Sequence, residues 1–168
     1  MEENIIVLSG EGRLEFQGKS YRCAVGLGGV VDDKREGDGA TPLGCFPIRR
    51  VLYRADRTAR PFSVFPTEEI VNGTAWCEDL ESSNYNMMIT KQAGGREEGL
   101  WRESHVFDIV VVLGHNDNPI VRGKGSGIFF HVARENYTPT EGCVAASLTD
   151  IIEVLGKCKK DTLFCVRE

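Results

Sequence analysis

No stretch of this 168-residue chain approaches the roughly 20 consecutive apolar residues that a membrane-crossing helix needs. The N-terminus, MEENIIVLSGEGRLEF, also lacks the basic segment and apolar core of a secretory signal, since its apolar run covers only Ile5 to Leu8. Together these absences predict a protein with no membrane partner that stays in the cytoplasm, or lies in the periplasm if the natural chain begins further upstream. An excess of positive charge is missing too. Lys and Arg number 20 against 25 Asp and Glu, for a net charge of −5, which argues against nucleic acid as a partner. Six Cys and three His are present, but none shows the close Cys-x-x-Cys or His-x-x-x-His spacing of a dedicated zinc site. The expectation is no metal and no cofactor, the alternative being a zinc gathered from the distant His105, His115 and His131. The cysteines lie scattered in a chain long enough to bury a core without covalent staples, so all six are expected as reduced thiols.

A hydrophobic share of 41% and a charged share of 27% describe a soluble globular protein, and the length fits a single domain over residues 1–168. Ile5 to Leu8, Arg13 to Phe16 and Tyr21 to Val25 are short runs with a period near two, separated by Gly turns, which predicts a β meander. Lys34 to Gly44 is a charged, Gly- and Pro-containing loop leading into a strand at Phe46 to Tyr53. Regular patterning weakens from Thr58 to Gly99. Val106 to Leu113, VFDIVVVL, predicts a strand buried on both faces that ends in Gly114-His115-Asn116-Asp117. A strand at Ile128 to Val132 follows, then a helix from Leu148 to Leu155 opened by Ser147, with Ile151, Ile152 and Leu155 on one face and Gly156 as its stop. Thr162 to Val166 closes the chain as a strand. The class is α+β, mainly β.

Chemistry concentrates in GIFFHVARENYTPTEGCVAASL, Gly127 to Leu148. An apolar strand delivers His131, and a Gly turn twelve residues on delivers Cys143. A thiolate is the nucleophilic form of cysteine, and a neighbouring base that takes the thiol proton makes one. Gly142 leaves room for a substrate, and the N–H groups of Gly142, Cys143 and Val144 are candidates for an oxyanion hole. The plain alternative is that Cys143 is a small core filler and His131 a satisfied core residue. Arg134 suits a carboxylate clamp. Trp76, Tyr85 and Asn86 either wall a cleft or cap the core. Arg49, Arg50, Arg54, Arg57 and Arg60 form either a solvated face or a patch that attracts an acidic substrate.

The sequence resembles the L,D-transpeptidase family of YkuD type, whose signature is a strand His followed by a Ser/Thr-His-Gly-Cys turn. Thr140, Glu141, Gly142 and Cys143 stand at those positions here, and His131 at the upstream His. Lys34 to Arg57, Trp76 to Asp79, Tyr85-Asn86 and Leu100 to Asp117 extend the resemblance over most of residues 20 to 168. Three departures stand out: Glu141 replaces the second His, the gap from His131 to Thr140 is shorter than usual, and Ala145 and Ala146 replace polar or Arg residues. The resemblance implies a β-sandwich with a helix after the nucleophile. It further implies a cysteine acyl-enzyme that cleaves the meso-diaminopimelate–D-Ala bond of a stem tetrapeptide or muropeptide. Cys143, His131 and Gly142 would be catalytic, with Arg134, His115, Asn116, Thr140, Glu141, Trp76 and Tyr85 near the substrate. Water as acceptor makes an L,D-carboxypeptidase, which a cytoplasmic setting places in muropeptide recycling. An amine acceptor makes a transpeptidase that forms 3,3 cross-links or exchanges D-amino acids. A muropeptide-binding module without catalysis is the remaining alternative.

Overall fold

The computed structural model describes residues 2–92 and 94–168. In chain order its strands are β1 (Ile5–Ser9), β2 (Arg13–Phe16), β3 (Lys19–Arg22), β4 (Val30–Val31), β5 (Thr41–Pro42), β6 (Gly44–Tyr53) and β7 (Thr67–Glu69). They continue with β8 (Thr74–Cys77), β9 (Met88–Thr90), β10 (Glu97–Gly99), β11 (Ile109–Leu113), β12 (Phe129–Val132) and β13 (Val144–Ala146), and the helix α1 (Leu148–Lys157) precedes β14 (Leu163–Arg167). Mainly β architecture follows, with the helix just after the Cys143 turn.

Strand β6 organises the sheet, because its two halves pair with different partners. Gly44 to Pro47 lies antiparallel to β14, and Ile48 to Tyr53 lies antiparallel to β11. The sheet therefore runs β13-β12-β11-β6-β14-β1-β2-β3, with β7 also on β6. Its two ends share one core, in which Ile6, Leu8, Leu14 and Phe16 meet Val51, Val111, Phe130, Val144 and the helix residues Ile151, Val154 and Leu155. The β1-β2-β3 meander matches its alternation: Leu14 and Phe16 are buried, whereas Arg13 and Glu15 face solvent. Its first strand also lies parallel to β14 at the other end of the chain.

The unbroken apolar run of β11 has a direct cause. Val111 sits in the shared core, while Val110 and Val112 point into a second cluster with Leu52, Trp76, Leu100, Phe107 and Phe129. A strand covered on both faces has no polar side to show. The first two residues of the predicted strand, Val106 and Phe107, instead belong to a short 3-10 turn, His105–Phe107. The weakly patterned Thr58 to Gly99 segment contains strands after all, in a small β10-β8-β9 sheet whose strands of three or four residues are too short to display a period.

The helix corrects two expectations. It runs through Gly156 to Lys157, and its inner face is Ile151, Val154 and Leu155, with Ile152 40% exposed. Ser147 caps its start, accepting from the Asp150 N–H at 3.1 Å. The expectation of six reduced thiols is also corrected. Cys45 and Cys165 stand opposite each other on β6 and β14 and are joined as a disulfide, leaving Cys23, Cys77, Cys143 and Cys158 free. A separation of 120 residues hides that pairing in the sequence, because only strand pairing brings the two together.

Phe164 is fully buried against Phe130 in the shared core. Phe164→Ala is expected to cost about 3–5 kcal/mol, read from the shift in urea midpoint. Ser147→Ala, which removes only the helix cap, is expected to cost about 1 kcal/mol in the same assay.

Candidate active site

Strand pairing builds the site. β12 and β13 run parallel, with Phe130 opposite Val144 and His131 opposite Ala145. Cys143, one residue before β13, therefore falls beside Phe129. Its Sγ accepts from the Phe129 N–H at 3.3 Å, and the thiol donates to the Gly127 carbonyl at 3.2 Å. His131 lies two residues along β12 on the same face as Phe129, and no hydrogen bond joins its ring to the thiol among the described residues.

The turn before the thiol is closed by Thr140, whose Oγ1 donates to the Cys143 carbonyl at 2.6 Å and accepts from the Gly142 N–H at 3.1 Å. Gly142 has φ +136°, and a Cβ there would meet the Ala40 carbonyl oxygen at 2.7 Å. Only glycine fits that position. Because the Gly142 N–H is committed to Thr140, it is not available to an oxyanion. The Cys143 N–H has no acceptor among the described residues.

His131 is 6% exposed, with its ring edge-on to Phe107. Nδ1 lies 3.0 Å from the Val132 carbonyl. A carbonyl only accepts, so Nδ1 carries the hydrogen and Nε2 keeps the lone pair. Burial pushes the His131 pKa down to about 4, and the charges of Arg134 and Arg102 act in the same direction. Glu141 is not among the groups that act on it. Burial likewise pushes the Cys143 thiol up to about 12, with Glu98 and Glu141 adding to the rise and the Phe129 N–H and Lys34 opposing it. Both groups are neutral at pH 7.

Cys143 opens onto a cavity of about 380 Å³ lined by Trp76, Gly127, Phe129 and the charged Lys34, Glu36, Glu78, Arg96, Glu98 and Glu141. Its walls come from the Lys34 to Gly44 loop, the small β10-β8-β9 sheet and the segment before β12. Burial raises the pKa of Glu78 and of Glu98, and the neighbouring glutamates add to it. Four of the five clustered arginines, by contrast, are spent on ion pairs: Arg49 with Asp117, Arg50 with Glu68, Arg54 with Asp56 and Arg57 with Asp108, while Arg60 is exposed. Charge at the thiol is thus predominantly negative, opposite to an acid-attracting patch.

Of the residues expected near a substrate, Trp76 and Glu141 line this cavity. Thr140 is buried within the turn, and Arg134 is exposed outside the cavity. His115 lies in a separate cavity of about 320 Å³ on the other side of Trp76 and Ile128, its Nε2 3.0 Å from the Lys124 carbonyl. Asn116 staples its own loop, donating to the Val121 and Gly125 carbonyls. Tyr85 is buried and donates to Glu36 at 2.8 Å. His105, His115 and His131 do not converge, and no metal-binding group of three His, Cys, Asp or Glu occurs among the described residues. No helix among these residues is long and apolar enough to cross a membrane.

Asn86 has a larger part than its sequence context suggested. Its Oδ1 accepts from Trp76 Nε1 and the Gly127 N–H, both at 2.9 Å, and its Nδ2 donates to the His115 and Asn116 carbonyls. Gly127 supplies the carbonyl that holds the thiol, so Asn86 ties the thiol's acceptor to the Trp76 wall. The buried, φ +59° conformation was the hidden signal.

A sequence model of the L,D-transpeptidase catalytic domain, YkuD, matches residues 4–166. Among solved structures, the chain is similar to Bd1075 of Bdellovibrio bacteriovorus, with 14% identity and a TM-score of 0.53 over 99% of this chain and 48% of that one. It is also similar to L,D-transpeptidase 1 of Mycobacterium tuberculosis, with 12% identity and a TM-score of 0.47 over 99% of this chain and 60% of that one. The helical cell shape determining protein Pgp2 of Campylobacter jejuni gives 16% identity and a TM-score of 0.48 over 98% of this chain and 47% of that one. The chain thus spans 47% to 60% of the length of these chains. No curated protein sequence matches it.

A histidine held neutral by burial binds a proton more readily once unfolded. Stability from His131 is therefore present above its ordinary value of 6.5 and is lost as pH falls from there to about 4. The loss is expected to reach about 3 kcal/mol, measured by urea unfolding at successive pH values, and His131→Gln should flatten that part of the profile.

Proposed function

Because the chain belongs to the L,D-transpeptidase catalytic domain family, we propose that it is a cysteine acyl-enzyme that cleaves the bond between the L-centre of meso-diaminopimelate and D-alanine in a peptidoglycan stem tetrapeptide. The observation that carries this is Cys143 at the wall of a cavity of about 380 Å³, its thiol held by the Gly127 carbonyl and the Phe129 N–H. Cavities of this size suit one small ligand. Cys143 and His131 start neutral, so the reaction begins by general-base catalysis and not from a standing ion pair.

The thiol turns from the Gly127 carbonyl toward Nε2 of His131, which takes its proton as Sγ bonds to the peptide carbonyl carbon. The Cys143 N–H faces the oxygen that becomes negative. The C–N bond then breaks, His131 returns the proton to the leaving amine, and D-alanine departs from a thioester. Water attacks the thioester, His131 accepts its proton, and the tripeptide leaves with the thiol restored.

Cavity size favours water as acceptor, the carboxypeptidase outcome. A second stem peptide needs its own groove beside the thiol, and the neighbouring cavity lies behind Trp76 and Ile128. The glutamate lining favours a second reading, since Glu78, Glu98 and Glu141 attract the ammonium of an incoming D-amino acid or diaminopimelate side chain. The Cys45–Cys165 disulfide supports action outside the reducing cytoplasm over recycling within it.

Mass spectrometry of a disaccharide tetrapeptide incubated with the protein, with and without excess D-amino acid, tests this. Tripeptide formation that disappears in Cys143→Ala is the expected result; exchange products favour the transpeptidase, and an unchanged substrate contradicts both. The kcat/KM is expected to hold down to mildly acid pH and fall only as His131 protonates near pH 4. His131→Ala is expected to lower it by about 10²–10⁴-fold.

A further inference from the structure

A donor of this kind carries a free carboxylate on the residue that leaves. It must nevertheless enter a cavity lined by Glu36, Glu78, Glu98 and Glu141. A carboxylate brought among four others needs a cation to hold it, and the cavity walls supply Lys34 and Arg96. Arg96 is exposed, and its guanidinium has no hydrogen-bond partner among the described residues. Lys34 is different. Only 6% of it is exposed, and its Nζ donates to the Arg35 carbonyl at 2.8 Å and to Asp38.

An ammonium has three N–H groups, and these two partners leave one unused. Asp38 is itself held by the N–H groups of Arg35 and Ala40, each at 2.9 Å, so it fixes the position of the ammonium as a rigid bracket. The stem is fixed as well. A Cβ at Gly125 would fall 3.1 and 3.2 Å from Lys34 Cγ and Cε, so glycine there lets the backbone close over the side chain. The result is a buried, immobile cation with a spare donor in the same cavity as the nucleophile, and burial makes such a charge-assisted bond strong.

We propose that Lys34 anchors the C-terminal carboxylate of the donor and thereby places the preceding carbonyl at Cys143. This rests on the stem-peptide reading above and names the group that sets its end specificity. A donor with its last carboxyl group converted to an amide lacks the anion and leaves Lys34 unpaired, a loss that hydrogen bonding to a charged group puts at roughly 10- to 100-fold.

The test compares a tetrapeptide with its C-terminal amide as donors for the full chain and for Lys34→Met. The wild type is expected to prefer the free acid by at least about tenfold in kcat/KM. In Lys34→Met the preference collapses, mainly through a higher KM for the acid. Equal use of the two donors by the wild type overturns the anchor without any variant, as does an unchanged preference in Lys34→Met. If the wild type gives no Cys143-dependent turnover of either donor, the stem-peptide reading falls and the anchor with it.

Discussion

The parallel pairing of β12 with β13 is the constraint on which the rest of the site depends. It sets Cys143 beside Phe129 and brings His131 onto the same face two residues further along. The pairing holds because β11 and β12 are packed between two apolar clusters, so neither strand can slip by one residue without turning valines and phenylalanines toward polar surroundings. Asn86 then fixes the segment that approaches the thiol, with all four of its side-chain hydrogen-bonding positions in use. A buried amide satisfied in this way resists displacement, because any shift leaves polar groups unpaired.

Electrostatics gives the site its character. Burial keeps His131 unprotonated and Cys143 protonated, and the glutamates at the cavity wall discourage a thiolate further. A resting ion pair is disfavoured on both sides. In the proposed reaction the nucleophile is therefore a stored one, released when a substrate displaces water and the thiol proton passes to Nε2. Lys34 is the buried exception to the negative lining, which gives the cavity a polarity along which a peptide with amine and carboxylate groups can be oriented.

Much of this was legible in the sequence, for physical reasons that differ from place to place. The β11 run was readable because a strand buried on both faces has an unmistakable composition, and the helix start because Ser147 carries its cap. The family resemblance through His131 and Thr140 to Cys143 pointed to the turn. What the sequence concealed depends on distant pairing. Cys45 and Cys165 meet only when β6 and β14 align, His115 is separated from the thiol by Trp76 and Ile128, and four of the five clustered arginines are neutralised by acids that lie up to 68 residues away. Lys34 gave no sign of burial in a loop rich in charge and glycine.

The most direct test of the account is the ionisation of Cys143, measured as the ultraviolet thiolate absorbance of the wild type minus that of Cys143→Ala across a pH titration. A neutral resting pair predicts no thiolate signal from Cys143 at neutral pH, with absorbance rising only in strongly alkaline solution. A thiolate band already present at neutral pH, and lost together with His131 in His131→Gln, would contradict it and establish a standing Cys143–His131 ion pair.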